Sequence, residues 1–231
     1  MDLEYCNGGS LNDVLTTRRG QNLPGFNRDE TRELLRQISS GLNYIHKKEL
    51  AHLDIKPGNI FRSFTETVAL EANFFDGSGD DEAGQNGQKV VYKIGDLGHV
   101  SPIDKNDAEE GDCRYAPREL ICGSQQSRDL RSADIFALGI TAYESATLAV
   151  LPKNGPEWQS IREHGVDLSN CDEIPDELAS LVTKMTSPKL SHRPKAHEVN
   201  EHAAVTTMLI SNVRLQKLLQ EAINKNKRLE R

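Results

Sequence analysis

Four side chains in the first half of the sequence have the types and the spacing that phosphoryl transfer requires. Asp54, Lys56 and Asn59 lie on one short segment, His52-Leu-Asp-Ile-Lys-Pro-Gly-Asn59, and Asp96 follows later in Asp96-Leu-Gly98. One carboxylate can orient a hydroxyl and accept its proton. An amide oxygen and a second carboxylate can hold magnesium ions, and an ammonium can offset charge on the transferred phosphate. Asp54, Asn59, Asp96 and Lys56 fill these roles in that order.

Two regular elements must position these residues. Asn27 is a good helix N-cap with Glu30 three residues later, and apolar residues then recur at helical spacing up to His46. Lys89-Val-Val-Tyr-Lys-Ile94 has the composition of a strand and leads directly to Asp96. Leu50 to Phe61 is mixed, polar and interrupted by Pro57-Gly58, so it is predicted to be a loop between elements.

The rest of the chain is predicted to be mainly helical. Ala133 to Val150 carries apolar residues around nearly the whole helical circumference, which predicts a helix in the middle of the core. Ser10 can cap a short helix that follows it. Further amphipathic helices are predicted at 175–185 and 195–204, and a longer C-terminal helix at 205–231.

Residues 64–88 differ from their surroundings in composition. They contain six acidic residues, no Lys or Arg, and a cluster of glycines towards the end. This composition predicts a solvated acidic insertion that interrupts one unit without separating two domains. The sequence is therefore predicted to form one domain spanning residues 1–231.

The overall composition excludes several classes of protein. The chain has 231 residues, of which 36% are hydrophobic and 27% charged, with a formal net charge of -7. The negative charge argues against nucleic acid as a partner, and some basic substrate or partner is more plausible. The sequence has no apolar run of the roughly 20 residues that cross a membrane, and Met1 is not followed by a signal peptide. Four scattered cysteines indicate reduced, intracellular thiols and no metal site.

Further motifs occur in the order found in protein kinases. The segment from His52 to Asn59 resembles the kinase catalytic loop, and Asp96-Leu-Gly98 resembles the metal-binding motif. The remaining matches are the end of helix E, the end of the activation segment, the core helix F and the late C-lobe arginine: Gly41-Leu-Asn-Tyr-Ile-His46, Tyr115-Ala-Pro-Arg-Glu119, Asp134-Ile-Phe-Ala-Leu-Gly139 and His192-Arg-Pro194. The resemblance covers nearly the whole chain.

This resemblance implies a mainly α (α+β) fold, that of the kinase C-terminal lobe. It implies ATP and Mg²⁺ as cofactors, with Asn59 and Asp96 as metal ligands. Asp54 and Lys56 would be the catalytic residues. It further implies a buried ion pair between Glu119 and Arg193, and an Asp134 side chain that accepts hydrogen bonds from the catalytic-loop backbone.

Departures from the common kinase pattern resemble the Wee group of cell-cycle inhibitory tyrosine kinases. They are the Leu53 in place of Arg, the Leu97 in place of Phe, the acidic insertion, and the segments Glu109–Tyr115 and Leu151–Trp158. This resemblance implies a nuclear enzyme that phosphorylates a tyrosine of a cyclin-dependent kinase. The membrane-associated Myt relatives fit less well, since they usually have Phe in the metal-binding motif and lack the insertion. With Leu53, no cation there can bind a phosphorylated activation loop.

One residue conflicts with tyrosine specificity. Lys56, two residues after Asp54, is typical of serine/threonine kinases, so the motif alone predicts transfer to Ser or Thr. Tyrosine specificity rests on the Wee resemblance, because the Wee group resembles Ser/Thr kinases in sequence. Ser/Thr specificity stays open as the alternative.

The nucleotide-covering parts of a kinase are not found before His52. The only lysines there are Lys47 and Lys48, at the end of a predicted helix. The N-terminal β lobe is therefore expected to be missing, and the 231 residues alone are expected to transfer negligible phosphate. Glu4-Tyr-Cys6 resembles the hinge between lobes, and its backbone at Glu4 and Cys6 would contact the adenine.

Two functions of different classes remain open. The chain is either a partial catalytic domain of an active kinase or an inactive lobe that binds a partner protein through the acidic insertion and the region of Trp158. An unrelated phosphotransferase is a weak third hypothesis, because the ordered motifs would then be a coincidence.

Overall fold

A computed structural model describes residues 4–66, 88–105, 111–121 and 129–206. The elements in chain order are α1 (Leu11–Gln21), α2 (Arg28–Lys47), β1 (Leu50–Ala51), β2 (Ile60–Glu66), β3 (Gln88–Ile94), β4 (Ser101–Pro102), α3 (Arg118–Ile121), α4 (Leu130–Thr147), α5 (Pro156–His164), α6 (Asp176–Met185) and α7 (Ala196–Glu201). Single-turn 3-10 helices occur at Pro57–Asn59, Leu97–His99 and Leu190–His192. The expectation of a mainly helical α+β fold is confirmed. Most of the predicted acidic insertion and of the predicted C-terminal helix lies outside the described residues.

Helix α2 begins where its capping signal predicts. The Asn27 side chain accepts hydrogen bonds from the backbone of Asp29 and Glu30, and the Glu30 carboxylate accepts one from Asn27 N. Leu34 and Leu42 of its apolar stripe are fully buried, and the helix packs against α4. The helix ends at Lys47, just before β1, and so leads the chain to the segment that contains Asp54.

Helix α4 forms the centre of the core, as its apolar circumference predicts. Nearly all of its residues are buried, and Phe136 is among the largest fully buried side chains. The helix begins earlier than predicted because the Asp129 side chain caps it. It also ends earlier, because Leu148 adopts a left-handed conformation at φ 55° and donates its N–H to Glu144 O.

The predicted loop from Leu50 to Phe61 is wrong at both ends. Leu50–Ala51 forms strand β1, which pairs antiparallel with β4, and Ile60 begins β2. These strands were missed because their partners, β4 and β3, lie far along the sequence, so no local pattern marks them.

Strands β2 and β3 form an antiparallel hairpin. The two candidate metal ligands, Asn59 and Asp96, lie at the same end of it. Its register runs from Ile60 opposite Ile94 to Glu66 opposite Gln88. The strand predicted before Asp96 is thereby confirmed. Beyond the open end of the ladder, Gly95 N donates to Asn59 O at 2.9 Å.

Neighbouring segments form hydrogen bonds with backbone groups on both edges of this hairpin. On one edge, the backbones of Gly8 and Gly9 exchange hydrogen bonds with Arg62 at 2.9 and 2.8 Å. On the other, the Gln37 side chain of α2 accepts from Tyr92 N and donates to Val90 O. The Gln37 side-chain amide thus makes the hydrogen bonds that a neighbouring strand would make, and it fixes the hairpin to α2.

The later helices follow the sequence more closely. Helix α6 begins one residue after the predicted start and ends at the predicted Met185. Helix α7 is shorter than the predicted 195–204, because His202 has extended backbone angles. Among the described residues, no helix is long and apolar enough to cross a membrane.

Candidate active site

Asp54 is the central side chain of the candidate site, and only 4% of its surface is exposed. Lys56 Nζ donates to both carboxylate oxygens, at 3.0 Å to Oδ1 and 2.8 Å to Oδ2. Asn59 Nδ2 donates to Oδ2 at 2.7 Å and to the Asp54 carbonyl oxygen at 2.9 Å. The 3-10 turn Pro57–Asn59 produces this geometry because it returns the Asn59 side chain to Asp54. Three predicted site residues therefore meet in one hydrogen-bonded cluster.

Asp134 of α4 holds the backbone just before Asp54, as the kinase resemblance implies. Its carboxylate is fully buried and accepts hydrogen bonds from His52 N at 2.8 Å and Leu53 N at 2.7 Å. Leu53 has φ 66°, a left-handed conformation that a non-glycine residue adopts at a cost. The two bonds to Asp134 offset that cost. His46 Nε2 also lies 2.9 Å from this carboxylate, a contact that no sequence motif predicts.

His52 joins the loop to the end of β3. Asp54 N donates to His52 Nδ1 at 3.3 Å, which leaves Nε2 to donate to Gly95 O at 3.1 Å. Since Asp96 follows Gly95 directly, this ring fixes the position of the second predicted carboxylate relative to the first.

Asp96 and Asn59 have the donors that a magnesium ion prefers. Asp96 is exposed, has φ 56°, and accepts a hydrogen bond from Gly98 N at 3.2 Å. Asn59 uses its Nδ2 toward Asp54, so its amide oxygen is the atom left to bind a cation. Magnesium keeps several waters and usually takes only one or two protein oxygens beside those of phosphates, so this pair fits it. No larger group of His, Cys, Asp and Glu that could hold a metal occurs in the described ranges.

The predicted adenine-contacting residues lie beside the hairpin. The Glu4 carboxylate pairs with Lys93 Nζ on β3, and Cys6 is a half-buried free thiol. The pairing of Gly8 and Gly9 with β2 fixes this segment next to the strand that follows Asn59. Contact of Glu4 and Cys6 with adenine stays a prediction.

A second segment covers Asp54, in a contact that no sequence motif predicts. Asp112 N donates to Asp54 Oδ1 at 3.0 Å. Each carboxylate oxygen of Asp54 therefore accepts two hydrogen bonds, which fills the roughly four acceptor positions of a carboxylate. A hydroxyl that approaches Asp54 must displace one of these donors.

The same Asp112 is fixed by its own side chain. Arg114 Nε and Nη2 both donate to its carboxylate, and Arg114 N donates to Oδ1. Partial burial tends to raise the pKa of Asp112, but the bonds from Arg114 outweigh it and hold the pKa below the usual 3.8. A lowered pKa in the folded state means that this pair stabilises the fold above pH 3.8 and loses that contribution as the pH falls through the lowered value.

Gly111 lies so close to Asp54 that a side chain does not fit. A Cβ at Gly111 would lie 2.2 Å from Asp54 Oδ1, whereas a Cβ at the exposed Gly20 of α1 would meet nothing within 4 Å. Gly111→Ala is expected to displace the segment and lower the free energy of unfolding by about 1–3 kcal/mol. The control Gly20→Ala is expected to raise it by roughly 0.5–1 kcal/mol, because alanine favours a helix. Urea unfolding of both variants measures this, and a fully stable Gly111→Ala would contradict the close contact.

Two more structural contacts complete the surroundings of the site. Arg193 Nη1 and Nη2 donate to the two Glu119 oxygens at 2.5 and 3.3 Å, in a buried pair that confirms the expectation. Arg162 and Trp158 of α5 contact the backbone of residues 113–116. No sequence motif marks Arg162 as a site residue, although its position four residues after Trp158 places both on one helix face.

Comparisons with known proteins agree with the geometry. The protein kinase domain family matches residues 1–205. Wee1-like protein kinase 2 of Gallus gallus is 40% identical over 230 residues, which are 99% of this chain and 39% of the relative. The protein of that name from Danio rerio is 40% identical over 200 residues, 86% of this chain and 36% of the relative. The Drosophila melanogaster Wee1-like protein kinase is 34% identical over 233 residues, with shares of 97% and 36%.

Solved structures show the same fold. A crystal structure of the Rad53 kinase domain and SCD2 in complex with AMPPNP superposes with a TM-score of 0.62 at 20% identity, covering 87% of this chain and 67% of that one. The chain spans about two fifths of the length of the first two Wee1-like relatives.

Proposed function

Because the chain belongs to the protein kinase family, we propose that it is the catalytic-loop part of a Wee-type kinase. In this proposal the whole protein transfers the terminal phosphate of ATP to a tyrosine of a cyclin-dependent kinase, inhibits it, and acts in the nucleus during the cell cycle. The observation that carries the proposal is the hydrogen-bonded cluster of Asp54, Lys56 and Asn59, which His52 links to Gly95, the residue before Asp96. The similarity to Wee1-like kinases over nearly the whole chain supports the finer assignment.

In the proposed mechanism Asp54 orients the acceptor hydroxyl and takes its proton. The hydroxyl reaches the carboxylate by replacing Asp112 N or Lys56 Nζ at an oxygen. Lys56 then remains beside the reacting oxygens as a positive charge that offsets charge on the phosphate. Asn59 keeps Asp54 oriented through its two hydrogen bonds.

Asn59 and Asp96 would hold magnesium bound with ATP. A magnesium ion there would neutralise charge on the phosphates. The chain's own contribution is to fix the two ligands relative to each other, through the Gly95 N to Asn59 O bond and the His52 bond to Gly95 O. Glu4 and Cys6 remain the proposed contacts of the adenine.

Tyrosine is the proposed acceptor even though Lys56 is typical of Ser/Thr kinases. Asp54 is almost fully buried and Gly111 lies against its carboxylate, so the base is recessed. The phenol hydroxyl stands farther from its backbone than a serine hydroxyl and reaches a recessed base more easily. This depth supports the assignment that the Wee similarity suggests.

One observation favours the second candidate, an inactive lobe that binds a partner protein. In this conformation the acceptor positions of Asp54 are filled by the chain's own donors. Such a lobe would need no access for a hydroxyl to Asp54.

An acceptor assay separates these candidates. The protein expressed from its complete coding sequence is incubated with Mg²⁺, labelled ATP and a catalytically dead cyclin-dependent kinase bound to its cyclin. We expect labelled phosphotyrosine in the acceptor and none when magnesium is chelated. Label on serine or threonine alone would overturn tyrosine specificity. The absence of any label, with the acceptor still bound, would support the inactive lobe.

A further inference from the structure

Arg162 on α5 is buried against the backbone of a neighbouring segment. Only 3% of its surface is exposed, and its guanidinium donates to Cys113 O at 2.7 Å, Arg114 O at 2.8 Å and Ala116 O at 3.1 Å. A fourth bond goes to Trp158 O within α5. Four hydrogen bonds from the five N–H groups of this side chain thus go to backbone carbonyls.

Arg162 carries its charge without an acidic partner in the described ranges. Burial lowers its pKa to about 10, so the guanidinium stays protonated at neutral pH. Burying an unpaired charge is costly unless polar groups compensate. Here the carbonyl dipoles of Cys113, Arg114 and Ala116 compensate. The ring of Trp158, whose centroid lies 4.1 Å from the guanidinium carbon, contributes as well.

Trp158 binds the same segment independently. Its indole Nε1 donates to Cys113 O at 3.0 Å, so this carbonyl accepts from both side chains. Trp158 and Arg162 are four residues apart and share one face of α5. Gly155, at φ 89°, and Pro156 start the helix immediately before Trp158.

The segment held by these side chains is the one that touches Asp54. We call residues 111–116 the clamped segment. Asp112 N bonds Asp54 Oδ1 at one end, and the Tyr115 hydroxyl donates to Glu144 Oε2 of α4 at 2.6 Å near the other. Burial raises the pKa of Tyr115, which keeps this hydroxyl protonated. Leu53 offers no cation that would hold the segment through a phosphate group.

We propose that Trp158 and Arg162 are positioning residues that hold the clamped segment beside Asp54 without phosphorylation. We call these two side chains the clamp. They donate to backbone carbonyls, so the clamp does not depend on the side chains of Cys113 or Arg114. It rests on the proposed function in one respect, namely that the clamped segment helps to seat the protein acceptor at Asp54.

Hydrogen exchange in the whole, unphosphorylated protein tests the clamp without any need for activity. In Arg162→Lys, a single ammonium cannot reach three carbonyls, so we expect amide exchange in residues 111–116 to rise about 10-fold. Trp158→Phe keeps a smaller aromatic ring at this position and loses the Nε1–H donor, so a rise of about 3-fold is expected. Exchange in α4 should stay at the parent rate. The matched control is Arg118→Lys, since Arg118 is exposed and, among the described residues, pairs only with Glu163, at 3.9 Å.

Kinetics of the same variants separate positioning from stability. We expect the KM for the protein acceptor to rise about 5-fold or more in Arg162→Lys, while the KM for ATP stays constant. A merely structural role would leave both KM values unchanged and reduce only the active fraction. If Arg162→Lys does not fold, amide exchange and the KM values of Trp158→Phe alone test the proposal.

The outcomes distinguish this proposal from the proposed function. Unchanged exchange in residues 111–116 of Trp158→Phe and of folded Arg162→Lys would overturn the clamp, whatever the activity. Faster exchange in the two variants, together with a parent protein that labels no acceptor, would support the clamp and overturn the kinase function. A parent segment that is protected only after phosphorylation would also overturn the clamp.

Discussion

Asp54→Asn in the whole protein is expected to lower kcat for phosphate transfer by about 1,000-fold, because general-base catalysis contributes roughly 100- to 10,000-fold. Asparagine has nearly the same shape, and its oxygen can still accept from Lys56 Nζ or Asn59 Nδ2. It cannot take a proton from the acceptor hydroxyl. The loss should therefore appear in kcat, with the KM for ATP near the parent value.

Steady-state kinetics and thermal melting together measure this effect. Asp172→Asn, at an exposed aspartate, is the matched control and should retain parental kcat. If Asp54→Asn kept more than about a tenth of the parental kcat, Asp54 would not be the base. Melting near the parent temperature would show that the loss is chemical.

Asp134→Asn is expected to have the largest effect on stability, lowering the free energy of unfolding by about 3–5 kcal/mol. The Asp134 carboxylate is fully buried and accepts from His52 N, Leu53 N and His46 Nε2. An asparagine turns an NH₂ group toward one of these donors and leaves a buried N–H without an acceptor. The strained backbone at Leu53 then loses one of the two hydrogen bonds that offset its strain.

Urea denaturation of the whole protein, followed at the transition that contains this domain, measures the loss. Asp172→Asn again serves as the control and should unfold at the parental midpoint. A shift in Asp134→Asn of less than about 1 kcal/mol would show that the Asp134 bonds are not what holds the loop.

Local sequence signals were sufficient to predict much of the fold. The capping pair Asn27 and Glu30 marked the start of α2, and the apolar circumference after Ala133 marked the core helix. The catalytic loop was found because its residues are close in sequence, and the turn at Pro57–Asn59 brings Asn59 back to Asp54.

The rest depended on contacts between distant parts of the chain. Strand β1 pairs with β4 about fifty residues later, and such long-range pairing leaves no local pattern. Two such contacts join a side chain to the backbone. Asp112 N donates to the Asp54 carboxylate, and Arg162 donates to carbonyls of the segment 113–116. Backbone groups are the same in every residue, so the sequence does not specify which carbonyl an arginine will bind.

The pairing of Glu66 with Gln88 has a consequence for how the chain tolerates changes in length. Because the two strands already meet at these positions, the connection between them closes a loop whose entropy grows only with the logarithm of its length. Doubling that length costs about 0.6 kcal/mol. The hydrogen bonds of β2 and β3, and not the connection, fix Asn59 next to Gly95. We therefore expect the number of residues between Glu66 and Gln88 to change with little effect on the position of Asn59 next to Gly95.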